Sequence, residues 1–189
     1  MALTSGFMAI HRSYYRKPPY PPASPHFNYA QALKILFLDI DGVLNSRGSF
    51  IALGSSRPQT SHWSPVSVGL VAHLCRKMGL QIYAHSTWSR TGCDADYYTE
   101  EFRKYGHDGL VFLPVLPRSR LSESRVDRVG EAVRHYKPEQ YVILDDDDVF
   151  ERSLYGQNFV LCDFNTGFNF PEYTRALAAL GSEDVEVVL

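Results

Sequence analysis

Ile35-Leu36-Phe37-Leu38 is a short, uninterrupted apolar run that stops at Asp39, the pattern of a central parallel strand covered on both faces. Beyond it the apolar positions change period. Ser64-Pro65 offers an N-cap and a first-turn proline, Val71, Leu74, Cys75 and Met78 recur at helical spacing, and Gly79 supplies a stop. Leu80 to His85 reads as a second strand. Asp94 or Asp96 caps a short helix running to Tyr105 and stopping at Gly106, and Leu110 to Leu116 reads as a strand-like piece. Ser122 or Ser124 caps the next helix, where Val126, Val129, Val133 and Tyr136 form one stripe before Pro138. Tyr141-Val142-Ile143-Leu144 and Phe159-Val160-Leu161 predict two more strands, Pro171 opens a helix through Leu180, and Val185 to Leu189 offers an edge strand. The polar stretch Ser46 to Ser61 reads as a loop able to serve as a lid.

This alternation predicts an α/β fold, a mainly parallel central sheet with helices on both faces and a ligand site at the carboxyl ends of its strands. Residues 1–32 stand apart. No acidic residue precedes Asp39, and Arg12, Arg16 and Lys17 interleave with Tyr14, Tyr15, Tyr20 and the prolines 18, 19, 21, 22 and 25, so this stretch reads as a basic, Pro- and Tyr-rich arm outside a domain spanning 33–189. Such an arm can grip phosphates and stack on bases; the plainer reading is a tail that packs on its own domain or is solvated.

The chain has 189 residues, 44% apolar and 21% charged, which fits one folded domain plus an arm and excludes a disordered or fibrous chain. Nineteen Lys and Arg against twenty-one Asp and Glu leave a net charge of −2, so no global positive field exists and any nucleic-acid contact must be local. Cys75, Cys93 and Cys162 are odd in number and have no zinc-ligand spacing, which argues against a disulfide framework and points to a reducing, intracellular (cytoplasmic) setting. No apolar run reaches transmembrane length, so no membrane partner is expected.

The carboxylates carry the chemistry. Asp39 and Asp41 end one core strand and Asp145 and Asp146 end another, so in a parallel sheet all four converge on one rim. Clustered anions need a compensating cation, and oxygen-only ligands favour Mg²⁺ over zinc or copper. Gly42 lets the chain turn sharply, as a loop under a phosphate requires. Asp147 and Asp148 read as solvated or helix-capping, Trp63 and Trp88 as packing residues more readily than base-stacking platforms, and His73 and His85 as core or rim residues.

Leu38 to Asn45, LDIDGVLN, resembles the first motif of the haloacid dehalogenase (HAD) superfamily in its two-aspartate phosphatase form; Ile82 to Arg90 resembles the second motif and Tyr141 to Asp146 the fourth. More narrowly, the chain is similar over about residues 33–170 to the HAD domain of Swiss-army-knife RNA-repair proteins, a Rossmann-like fold. The resemblance implies that Asp39 is the nucleophile and that Asp41 protonates the leaving oxygen and then activates water. It implies Mg²⁺ held by the Asp39 carboxylate, the Asp41 backbone carbonyl and Asp145 or Asp146. Ser86 or its neighbour Thr87 would bind the phosphoryl oxygens. Arg125, with Arg128 as runner-up, matches the basic residue of the third motif, a position ordinarily held by lysine. The Trp-Arg of the narrower group becomes Trp88-Ser89-Arg90, which shifts the candidate substrate clamp Arg90 by one residue.

The implied activity is Mg²⁺-dependent hydrolysis of phosphomonoesters through an aspartyl-phosphate. A dehalogenase would have no use for the Asp41 acid. The spans from Asp41 to Ser86 and from Ser86 to Arg125 are largely consumed by predicted helices and strands, which leaves no large cap domain and an open site. An open site and the resemblance favour a nucleotide or an RNA or DNA terminal phosphate as substrate. The competing reading is a catalytically idle HAD-like module that binds a nucleotide or a protein partner.

Overall fold

Strand β1 (Lys34–Leu38) lies between two parallel neighbours, β2 (Gln81–Ala84) and β3 (Gln140–Asp145), and β4 (Phe159–Leu161) pairs in parallel with β3, giving the order β2-β1-β3-β4. This computed structural model describes residues 32–54, 63–88, 93–117 and 124–182. The expected arm apart from its last residue, Arg90 and the Val185 to Leu189 strand lie outside the described residues.

Period-two alternation explains the uninterrupted apolar runs. Leu36, Leu38, Ile82, Ala84, Val142 and Leu144 point to one face, where α2 (Pro65–Met78), α3 (Ala95–Lys104) and α5 (Phe170–Ala179) bury Val71, Leu74, Phe102 and Leu177. Ile35, Phe37, Tyr83 and Ile143 point to the other, against Val129 and Ala132 of α4 (Arg125–Tyr136). Both faces exclude water, so both parities of each strand must be apolar.

Local chemistry sets the helix limits. Ser64 accepts a hydrogen bond from the Ser67 N–H, Pro65 occupies the first turn, and Gly79 closes α2 in the left-handed region. Ser124 and Asp127 form a reciprocal capping box at α4, and Asp94 caps α3, each such cap stabilising its helix by about 1 kcal/mol.

Three stretches differ from the sequence reading. Leu110 to Leu116 contributes one bridge, Phe112 beside Ile82, instead of a strand; Pro114 and Pro117 supply no backbone donor with which to lengthen it. The Ser46 to Ser61 loop contains α1 (Arg47–Leu53), capped by Ser46. It buries no residue and so carries no apolar stripe to announce it; its first turn is tied by the Arg47 and Gly48 N–H groups donating to the Phe164 and Asn165 carbonyls at 2.9 and 2.8 Å. Two single 3-10 turns, Asp148–Phe150 and Gly156–Asn158, follow β3.

Among the described residues no folded cap stands over the carboxyl ends of the strands, and no helix is long and apolar enough to cross a membrane. Cys75, Cys93 and Cys162 are all free thiols.

Candidate active site

The register sets Leu38 beside both Ala84 and Leu144, so the next residue of each strand, Asp39, His85 and Asp145, meets the others at the rim. Two further ladder bonds fix the level: the Asp39 N–H donates to the Leu144 carbonyl and the His85 N–H to the Leu38 carbonyl, both at 3.0 Å. Asp39, His85, Ser86 and Asp145 are all buried there.

After Asp39 the chain reverses at once, the Leu44 N–H donating to the Ile40 carbonyl at 2.9 Å. Gly42 makes the reversal possible for two reasons. Its φ is +75°, and a Cβ there would lie 2.3 Å from both Cγ and Oδ2 of Asp146, inside any tolerable contact. The glycine therefore lets the first loop close onto the second acidic strand end.

Asp39, Asp145 and Asp146 each offer one oxygen within 4.8 Å of the others. Arg125, at the first position of α4, reaches into this group from 86 residues away in sequence: its Nη1 donates to Asp39 Oδ2 at 2.8 Å and to Asp145 Oδ1 at 2.5 Å, and stands 3.9 Å from Asp146. Burial pushes the Asp39 carboxyl above the ordinary carboxylate range and Arg125 pulls it back. Asp145 is raised by burial and then by the charge of Asp39, and Asp146 by the same two causes. One guanidinium cannot balance three carboxylates. Two buried oxygens, Asp39 Oδ1 and Asp145 Oδ2, make no hydrogen bond of normal geometry. These orphaned, all-oxygen donors fit a hard divalent cation such as Mg²⁺.

Asp41 stands apart from that group. Its Oδ1 accepts from the Asn45 amide and its Oδ2 from the Trp88 indole N–H, each at 2.8 Å. The Asn45 Oδ1 in turn accepts from the Gly42 N–H at 3.2 Å. Of the four aspartates expected at the rim, three thus gather their carboxylates and the fourth is held separately by neutral donors. Trp88 both packs near Trp63, 6.3 Å between rings, and serves Asp41. The sequence reading of Trp88 as a packing residue agrees with its ring contact, but the hydrogen bonds of Trp88 and Asn45 to Asp41 were not foreseen; only the four-residue step from Asp41 to Asn45 in the turn was visible in the chain.

Ser86 is fully buried beneath the rim, near enough to Asp39 for its hydroxyl to favour the ionised carboxylate. Thr87 is half-buried in the short turn after it. His85, read from the sequence as a core or rim residue, is buried at the rim; its Nδ1 lies 3.7 Å from Asp145 Oδ2, and burial, followed by the nearby Arg125 charge, pushes its pKa down to about 3, so the ring is neutral. His73 lies away from the rim, hydrogen-bonded to the Tyr173 hydroxyl at 2.8 Å. Arg128 lies one turn beyond Arg125 and its charge also acts on Asp39 and His85.

Beside Asp41 and Gly42 opens a cleft of about 300 Å³, whose other walls include Asn45, Arg47, Phe50 and Phe164. The family described as the HAD domain in Swiss Army Knife RNA repair proteins matches residues 35–172, a span that holds every residue of this site. No curated protein and no solved structure matches the chain.

Proposed function

Because the chain belongs to the family of HAD domains in Swiss Army Knife RNA repair proteins, a hydrolase-type fold family, we propose that it is a Mg²⁺-dependent phosphatase acting on phosphomonoesters through an aspartyl-phosphate on Asp39. One observation carries this reading: the two aspartates of the first loop are separated by environment. Asp39 is buried in the cation-binding group with one oxygen unengaged, whereas Asp41 is half-buried and held outside it by two neutral donors. A nucleophile and an acid–base group need that division.

In the first step an Asp39 carboxylate oxygen bonds to phosphorus as the ester P–O bond breaks, and Asp41 gives its proton to the departing oxygen. In the second, Asp41 takes a proton from the water that attacks phosphorus, and the Asp39–phosphorus bond breaks to release phosphate. Mg²⁺ on Asp39, Asp145 and Asp146, with the Asp41 backbone carbonyl, would neutralise phosphoryl charge as a Lewis acid. Arg125 holds Asp39 and Asp145 side by side against their mutual repulsion. Ser86 or Thr87, which follow His85 at the end of β2, would donate to phosphoryl oxygens.

The open rim and the family favour a nucleotide or a nucleic-acid terminal phosphate. The test is phosphate release from nucleotides, oligonucleotides bearing 3′ or 5′ phosphates, sugar phosphates and phosphopeptides, with Mg²⁺ and with chelator. Nucleotides or oligonucleotide ends should lead the series, chelator should stop turnover, and Asp39→Asn should abolish it while the protein stays folded. Metal-independent release, or an Asp39→Asn protein near wild-type rate, sinks the mechanism; a series led by sugar phosphates sinks the substrate assignment.

A further inference from the structure

We infer that the cleft between α1 and the loop after β4 is a base-stacking subsite, which seats the nucleobase of the substrate between Phe50 and Phe164 while Arg47 meets its negative charge. This rests on the phosphatase reading for the substrate's phosphate but on separate observations for its base.

The first observation is that α1 adds nothing to the core. None of its residues is buried, and it is fastened to the 164–165 loop by two backbone hydrogen bonds. A Cβ on Gly48 would come within 2.9 Å of the Asn165 carbonyl, so the two segments meet closely. What the attachment achieves is to bring Phe50 and Phe164, far apart in sequence, onto one cleft next to Asp41. Both rings keep large exposed areas, 42% and 53%, where a core-forming pair would be covered. Single exposed apolar side chains are ordinary; two aromatics facing one cleft beside a candidate catalytic aspartate are not explained that way.

The second observation decides the class of ligand. Much of the cleft's polar wall is already engaged: the Asn45 amide donates to Asp41, its Oδ1 accepts from the Gly42 N–H, and the Ser46 Oγ accepts from the Ser49 N–H. A sugar, which needs several hydrogen-bond partners for its hydroxyls, finds few here. The other walls are the exposed rings of Phe50 and Phe164 and the exposed Arg47, and they suit a flat, π-faced group attached to an anion. A volume of about 300 Å³ lies within the range of small-ligand sites and admits one base.

The experiment is calorimetric binding of adenosine 5′-monophosphate and ribose 5-phosphate, with Mg²⁺, to the full chain carrying Asp39→Asn so that neither ligand is consumed. Adenosine monophosphate should bind at least tenfold tighter. Phe164→Leu keeps apolar volume but loses the ring, and should cut that preference about 5- to 100-fold, the range stacking losses span; Phe164→Tyr should retain it. Phe50→Leu repeats the test from the opposite wall if Phe164→Leu lowers Tm. Equal affinity for the two ligands, or a preference that Leu and Tyr leave alike, overturns the subsite. Binding is read without turnover, so the two readings fail separately: stacking that persists in a protein inert toward every phosphate ester overturns the phosphatase alone, and brisk phosphate release with no ring dependence overturns the subsite alone.

Discussion

The Trp88 indole N–H donates to Asp41 Oδ2 at 2.8 Å across 47 residues of sequence. With the Asn45 amide on Oδ1, both oxygens of the proposed acid–base group are aimed by donors that carry no charge. Trp88→Phe retains an aromatic ring beside Trp63 and removes the indole donor. The expected result is a kcat about tenfold lower on alkyl phosphates, with KM nearly unchanged and a smaller loss on an aryl phosphate, whose leaving oxygen needs little protonation. Equal losses on the two substrates would show that Trp88 does not act through Asp41.

Arg125 is the only cation within hydrogen-bond reach of Asp39 and Asp145 among the described residues. Arg125→Ala leaves both carboxylates buried without it, so metal-free protein should lose on the order of 2–3 kcal/mol, visible as a lower Tm in chelator. Added Mg²⁺ should raise the Tm of the variant more than that of the wild type, since the ion then meets the larger charge deficit. Identical Mg²⁺ responses would mean that arginine and cation do not share these carboxylates.

Gly42→Ala tests the close approach of the two acidic loops. The positive φ costs an alanine about 1 kcal/mol, and its Cβ must displace Asp146. Mg²⁺ affinity should fall at least tenfold while the Tm in chelator falls by only a few degrees. Titration calorimetry and a thermal scan separate the two effects; unaltered Mg²⁺ affinity would remove Asp146 from the cation site.

His85 predicts a pH dependence of stability in the metal-free protein. Its folded pKa, about 3, lies below the ordinary value of 6.5, so between those values the unfolded chain binds the proton and the folded chain does not. Its contribution is therefore present above about pH 6.5 and is lost as pH falls toward 3. Asp39 and Asp145, raised by burial, act in the opposite sense, gaining stability as pH falls. The readout is accordingly the difference between wild type and His85→Gln: denaturant unfolding in chelator should show the variant losing less stability than wild type from pH 6.5 to 4. Parallel profiles would mean that His85 takes up its proton in the folded state.

What the chain determined by itself was local. The apolar runs ending in Asp39 and Asp145, the Ser64-Pro65 start of α2, and a cap of α4 at Ser122 or Ser124, which the structure resolves to Ser124, were legible because strand burial and helix capping are decided within a few residues. The two-aspartate loop and its glycine were legible for the same reason. Helix α1 was not, because a helix that buries nothing leaves no periodic stripe; nor was the shortness of the Phe112 bridge. Tertiary structure alone decided that Arg125 lies between Asp39 and Asp145, that Trp88 serves Asp41, and that Phe50 faces the same cleft as Phe164. Each of these depends on the register of parallel strands or on a loop-to-loop hydrogen bond, and such distances are set by packing between segments remote in the chain, about which spacing along the sequence says nothing.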